Sequence, residues 1–164
     1  MKKSEVIKSK IYTTENLTRL LAIWRFKNKK IVFTNGCFDL IHRGHVEYLA
    51  GAAELGNILI VGVNSDRSVR TQGKGPSRPI QDETSRALIL AAMHVVDAVI
   101  IFDEDTPYEL IRLIMPDVLV KGGDWQPEKI AGYDIVTANG GIVTSIAFVE
   151  GYSTSLIEKK IKEG

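Results

Sequence analysis

The stretch "KIVFTNGCFDLIHRGHVEYLAGAAELGNILIVGVN", Lys30 to Asn64, decides the fold. "KIVFT" reads as a short apolar strand, "GHVEYLAGAAELG" as a helix closed by Gly56, and "NILIVGVN" as a second strand, apolar almost throughout. Strands that are apolar on both faces and joined through a helix belong to a parallel sheet, because parallel neighbours need a crossover. The junction between the first strand and the helix is odd from a packing point of view. His42 and His45, two of the chain's 3 histidines, stand there with Gly44 between them and Asp39 close by.

The alternation continues outward from this unit. Residues 1–13 read as a polar lead-in, and "TTENLTRLLAIWRFKNKK" as a helix capped by Thr13 or Thr14, with Leu17, Leu20, Leu21 and Trp24 on one face. After the second strand comes a polar, glycine-rich loop, "SDRSVRTQGKGPSRPI", inside an irregular stretch over 64–82; loops of that length in compact domains are usually functional. "ETSRALILAAMHVV" follows as a helix holding a structural His94, then "DAVIIF" as strand three. "DTPYELIRLIM" has Thr106 to cap, Pro107 at the first helical position and Glu109 at N3. "DVLVK" is strand four, "PEKIAGYDIVTANGG" a helix ending at Asn139 or Gly140, "IVTSIAF" strand five, and "STSLIEKKIKE" a last helix capped by Ser153. The expectation is one α/β domain over 14–164, a Rossmann-like doubly wound parallel sheet of about five strands in the order 3-2-1-4-5.

Composition narrows the class. The chain has 164 residues, 45% hydrophobic and 25% charged, ordinary for a soluble globular domain. Its 21 basic and 20 acidic residues leave a net charge of +1, so no global basic field points to nucleic acid. The only cysteine is Cys37, which precludes an internal disulfide and fits a reducing compartment. "MKKSEVIKSK" is basic but no apolar run follows it, and no stretch nears the roughly 18 apolar residues of a membrane span. The expectation is a cytoplasmic protein with no membrane and no nucleic-acid partner.

In an open sheet of this order, ligands bind beyond the carboxyl ends of the strands where the order reverses, here between strands one and four. The segments leaving those strands are "TNGCFDLIHRGH" and "KGGDWQP", both rich in glycine and polar groups. The first is neither a dinucleotide-binding G-x-G-x-x-G nor a P-loop. Gly44 lets the backbone approach a ligand, and the helix N-terminus offers unpaired N–H groups suited to phosphate. His42 and His45 point the same way across the first turn, where two imidazoles can stabilise charge growing on a phosphate. A plain surface reading of the pair fits poorly with its place between strand and helix. A zinc reading lacks a third ligand, since Cys37 and His94 offer none, so no metal ligand set is expected.

These residues carry a resemblance. "GCFDLIHRGH" matches the G-x-F-D-x-x-H-x-G-H signature of the nucleotidyltransferase superfamily that holds the cytidylyltransferases and phosphopantetheine adenylyltransferase. From about residue 14 the likeness runs on through "VNSD", "SRPI", "SRALIL", "VDAVIIF", "EDTPYELI", "PDVLVKGGDW", "ANGG" and "GYSTSLI". Together these resemble the D-glycero-β-D-manno-heptose 1-phosphate adenylyltransferases of ADP-heptose synthesis. That activity often occurs fused to a sugar kinase; this chain is too short for the kinase and resembles the stand-alone form. The resemblance implies that a sugar 1-phosphate oxygen attacks the α-phosphorus of ATP and pyrophosphate leaves, with no covalent intermediate. ADP-heptose would serve lipopolysaccharide core or another surface glycan. It also implies Mg²⁺ travelling with ATP and a homodimer. The alternatives are a cytidylyltransferase acting on a polyol phosphate such as glycerol 3-phosphate, and a non-catalytic nucleotide-binding module. Glycerol-3-phosphate cytidylyltransferases carry an arginine shortly before the last motif, where this chain has "AFVEG".

The resemblance assigns the residues as follows. His42, His45 and Lys121 carry the catalytic role, the histidines on the nucleotide phosphates and leaving group. Gly36, Cys37 and Phe38 shape the pocket floor, with Asn35 before them and Gly44 at the helix start also binding the nucleotide. Tyr152, Ser153, Thr154 and Ser155 form a phosphate or ribose site at the last helix, Ser155 standing where the family motif has Thr. Gly122 and Gly123 let nucleotide or sugar approach. Several residues keep two readings. Lys121 is a phosphate ligand or a snorkelling edge residue, and "KGGD" favours the ligand. Asp39 bonds sugar hydroxyls or holds the His-bearing loop; Asp124 bonds sugar or caps a turn; Trp125 is a substrate wall or a core aromatic. Lys74 closes on phosphates or is solvated, and Arg86 is near the nucleotide or in a helix-surface ion pair. Asn64 and Asp66 touch the sugar or shape their turn. Cys37 lacks the base partner of a nucleophile and reads as a small buried residue.

Overall fold

The computed structural model of the chain describes residues 2–73, 75 and 77–164. Helix α1 (Lys3–Lys8) precedes α2 (Thr14–Phe26), whose cap Thr13 accepts a hydrogen bond from the Asn16 amide. Strand β1 (Ile31–Gly36), α3 (Arg43–Ala53) and β2 (Ile58–Asn64) form the first strand–helix–strand unit. Then come α4 (Asp66–Thr71), α5 (Glu83–Ala91), β3 (Ala98–Phe102), α6 (Tyr108–Ile114) and β4 (Val118–Gly122). A 3-10 turn (Pro127–Lys129), α7 (Tyr133–Ala138), β5 (Ile142–Ile146) and α8 (Thr154–Glu163) complete the chain.

The strands make one five-stranded parallel sheet in the order β3-β2-β1-β4-β5, the doubly wound order that the sequence predicts. Side chains alternate along a strand, so each strand feeds two cores. Val32, Leu59, Val61, Val99 and Val120 pack with Leu49 of α3 and Ala87 and Leu90 of α5. Phe33, Ile60, Ile100 and Leu119 pack on the other face with Leu17 and Leu21 of α2, Ile111 of α6 and Val136 of α7. Leu20 and Trp24 of the same α2 stripe are only partly covered. Ahead of α2, Ile11 bridges Val99 and so covers part of the β3 edge. Among the described residues no helix is long and apolar enough to cross a membrane.

The amino end of the sheet is closed by short side chains. Asp117 accepts from the Ile31 amide at 2.7 Å, Asp97 from Leu59 at 2.8 Å and Asn57 from Lys30 at 2.9 Å. Gly56 sits beside this end, where a Cβ would stand 2.6 Å from Val32 and 2.7 Å from the Lys30 carbonyl. Close approach is therefore what demands glycine there, and α3 itself ends earlier, at Ala53.

Several elements depart from their sequence reading. The stretch over 64–82 holds α4, because Ser65 caps it by accepting from the Ser68 amide and Val69 turns into the core. The helix expected over "PEKIAGYDIVTANGG" is split, since Gly132 takes a φ of 90° and a Cβ there would meet Ile111 at 2.7 Å. Helix α6 starts one step later than expected, with Pro107 rather than Thr106 at the cap. Helix α5 stops at Ala91, which leaves His94 exposed in a turn rather than held within a helix.

Candidate active site

Thr34 of β1 pairs with Val120 of β4, so the carboxyl ends of these two strands lie side by side where the sheet order reverses. Tyr48 of α3 locks this junction by hydrogen bonding to the Thr34 hydroxyl and the Val120 carbonyl, and burial pushes its phenol up to about 12. Beyond it the chain turns tightly. Phe38 takes a positive φ of 50°, uncommon for a bulky residue, and its buried ring meets His45 edge-on at 5.3 Å. A Cβ on Gly36 would stand 3.0 Å from the Phe38 ring, so glycine leaves that ring its place.

His42 is the N-cap residue of α3, and His45 lies one turn inside it. Their rings stack with centroids 3.9 Å apart at 27°. Gly44 between them is closely crowded: a Cβ would lie 3.1 Å from the His42 ring and 3.3 Å from Tyr152, so both side chains would have to give way by a few tenths of an ångström. The buried Nδ1 of each histidine has no hydrogen-bond partner. Burial lowers the His42 pKa; burial first and then His42 lower that of His45 to about 4, with the Leu40 backbone pulling the other way. Two imidazoles this close resist joint protonation without a counter-charge. An anion at this helix end would supply that counter-charge.

A cavity of about 470 Å³ opens beside His45. Cys37, Phe38 and Asp39 line it from the turn after β1, Thr154 and Ser155 from the start of α8, and Arg78 and Glu158 close it. Ser153 caps α8 by accepting from the Leu156 amide at 3.1 Å, and the Thr154 hydroxyl donates to the Leu40 carbonyl at 3.5 Å. The two helix N-termini thus converge. In an adjoining groove, Tyr152 lies under the Arg43 guanidinium, 5.3 Å from its ring centroid, with His42 and Ser153 on the walls.

Asp39 is only 4% exposed and its oxygens are taken. It accepts from the Ile80 and Gln81 amides at 2.9 Å and from Arg78 at 2.8 Å. Burial would raise its carboxyl, but these donors outweigh burial and hold it below the usual carboxylate range. Of its two readings, the partners fit the one that holds the His-bearing loop. Arg86 is 0% exposed, which differs from the helix-surface ion pair. It donates to the Gln81 carbonyl at 2.9 Å, the Cys37 carbonyl at 2.6 Å and Asp66 at 2.7 Å, tying α4 and α5 to the pocket floor. Asp66 faces Arg86 in that strut.

A second cavity of about 280 Å³ lies on the other side of the strand ends. Asn35, Asn64, Lys121 and Trp125 meet there, joined by Thr106 and Lys129. Lys121 donates to Asn35 at 3.4 Å, and Asn64 donates to Ser68 at 3.0 Å. Trp125 is 49% exposed and lines this cavity, so it is not a core aromatic. Asp124 is exposed. Gly122 and Gly123 are covered by the Phe148 ring, which a Cβ on either would meet at 2.7 or 2.9 Å. Lys74 lies outside the described residues. Sequence reasoning passed over Arg78, Glu158, Phe148 and Lys129; "SRPI" was a signal for the first, and only tertiary contact reveals the others.

A family model described as cytidylyltransferase-like matches residues 33–160. The chain is 51% identical over 155 residues to the bifunctional protein HldE of Trichlorobacter lovleyi, covering 94% of this chain and 31% of that protein. It is 52% identical over 153 residues to the bifunctional protein HldE of Syntrophotalea carbinolica, covering 93% and 31%. The chain therefore spans about a third of the length of the curated relatives it matches. Among solved structures it resembles the lipopolysaccharide core biosynthesis protein from Thermoplasma volcanium, with a TM-score of 0.60 and 29% identity over 76% of this chain and 99% of that one. The pantoate-beta-alanine ligase from Francisella tularensis shares the fold alone, with a TM-score of 0.62 and 15% identity over 93% of this chain and 76% of that one.

Proposed function

The chain belongs to the cytidylyltransferase-like family and is a nucleotidyltransferase; on that premise we propose that it transfers AMP from ATP to D-glycero-β-D-manno-heptose 1-phosphate, giving ADP-heptose and pyrophosphate. The observation that carries this reading is the pair of cavities flanking the ends of β1 and β4, one faced by His45 and two helix N-termini, the other by Lys121 and Asn35. The relatives named HldE and the lipopolysaccharide-core neighbour support a sugar as acceptor.

In this reading the triphosphate of ATP lies along the first cavity. His42 and His45 donate to the β- and γ-phosphate oxygens as pyrophosphate leaves, and the α8 hydroxyls of Thr154 and Ser155 fix the chain of phosphates. The sugar phosphate enters from the second cavity, where Lys121 holds its charge and Trp125 faces the ring. Attack and departure then occur on opposite sides of the α-phosphorus, as in-line displacement requires. The protein forms no bond to the nucleotide, so its contribution is position and charge. Mg²⁺ brought in with ATP would supply neutralisation of the phosphate charge. Among the described residues no three His, Cys, Asp or Glu side chains group closely enough to hold a metal. A homodimer, and a domain boundary at residue 14, belong to the same proposal.

The test is identification of the product after incubation with ATP, Mg²⁺ and the heptose 1-phosphate. The expected species is an ADP-sugar formed one for one with pyrophosphate. A CDP-polyol formed from CTP and glycerol 3-phosphate, with no ADP-sugar, would instead establish the cytidylyltransferase alternative.

A further inference from the structure

The first cavity contains a charge that a triphosphate would not tolerate. Glu158 of α8 lines it beside His45, Thr154 and Ser155, and a nucleotide's phosphates entering there meet a carboxylate. Glu158 is stable in that place because Arg78 donates to it at 2.9 Å. Arg78 is itself 12% exposed along its side chain and lines the same cavity, with its other terminal nitrogen 2.8 Å from Asp39. Asp39 has a second set of donors in the Ile80 and Gln81 amides. Its charge is therefore met from both sides, and it anchors Arg78 without depending on Glu158.

We propose that Arg78 is a ligand of the nucleotide phosphates, and that Glu158 is the carboxylate it holds in their place until they arrive. This rests on the placement of the phosphates in this cavity under the proposed function. A guanidinium presents five N–H donors in a planar fork, and the fork binds carboxylate and phosphate in the same geometry. Exchange of one for the other needs no new donor and no change of rotamer at the Asp39 end. The helix that carries Glu158 can give way, because α8 contributes no buried residue. Its other polar ties are slight: the 3.5 Å bond from Thr154 to Leu40 and the contact of Tyr152 with Arg43. Nucleotide and Glu158 thus compete for Arg78, and the chain's own last helix tunes its affinity for ATP.

Two variants and two ligands test this by calorimetry. Glu158→Gln removes the competing charge while keeping the shape, and is expected to tighten Mg·ATP and inorganic tripolyphosphate by about fivefold, the size of a partly exposed ion pair of about 1 kcal/mol. Arg78→Lys keeps the charge but loses the fork, and is expected to weaken both ligands about tenfold, as loss of a charge-assisted bond does. If the pair serves only to hold α8 down, Glu158→Gln loosens the site and weakens binding, and that sign overturns the proposal, as does no change. Failure of the wild-type protein to bind Mg·ATP or tripolyphosphate would remove the phosphate site itself, and the exchange with it.

Discussion

Helices α3 and α8 point their N-termini at the same cavity and are built in opposite ways. The start of α3 is fixed on every side. Gly44, Tyr48 and Leu49 are buried within it, Phe38 backs His45, and Asp39 binds the preceding turn to Ile80 and Gln81. Helix α8 has no buried residue and is held by an ion pair and a few surface contacts. A phosphate site assembled from both is half rigid and half adjustable. Under the proposed function the rigid half would set where phosphate charge is stabilised, and the adjustable half would tune how tightly the nucleotide is held.

The largest effects are expected in the rigid half. His45→Ala and His42→Ala should each lower turnover by about 10²–10³-fold, the usual cost of removing one preorganised donor, with thermal unfolding little changed. Pyrophosphate release alongside circular dichroism measures both, and a near-normal rate in either variant would break the comparison at its first term. Across the strand ends, Lys121→Ala should raise KM for the acceptor by about ten- to a hundredfold, since a charge-assisted bond contributes about 1.5–3 kcal/mol. An unchanged acceptor KM would return Lys121 to the snorkelling reading.

Stability separates the halves further. Asp39→Asn leaves Arg78 and two amides facing an amide group, and should lower unfolding free energy by about 2 kcal/mol in a urea titration. Ser153→Ala removes only the α8 cap, worth about 1 kcal/mol locally; hydrogen exchange should speed in α8 alone while the global transition stays put. A global loss from Ser153→Ala as large as that from Asp39→Asn would mean that α8 is as integral as α3.

The remaining expected effect is a pH slope. His45 titrates at about 4 in the fold against 6.5 when unfolded, so the unfolded chain takes up the proton first. Its contribution is neutral above pH 6.5 and becomes progressively destabilising as pH falls from 6.5 to about 4, with no further loss below. Urea midpoints at pH 7 and 4.5 should therefore diverge less in His45→Gln than in the wild-type protein. ATP supplies the missing counter-charge and should shrink the same difference.

Much of this is legible in the sequence, and what is not has a physical cause. Apolar runs such as "NILIVGVN" mark strands buried on both faces, and Gly44 between His42 and His45 marks a helix end where space is short. Both signals are local. Arg86 illustrates the opposite case: its acceptors are Gln81, Cys37 and Asp66, which only the folded chain gathers, so a buried strut looks like a surface cation in one dimension. The Arg78–Glu158 pair joins residues about half the chain apart in sequence and has no local signature. The broken helix at Gly132 follows from contact with Ile111, again a tertiary cause.

The central claim is tested most directly by initial rates of pyrophosphate release, with ATP or CTP crossed against the heptose 1-phosphate and glycerol 3-phosphate in the presence of Mg²⁺. The account predicts turnover with ATP and the heptose 1-phosphate far above the other three pairs. Turnover with CTP and glycerol 3-phosphate, and none with ATP and the sugar phosphate, would contradict it.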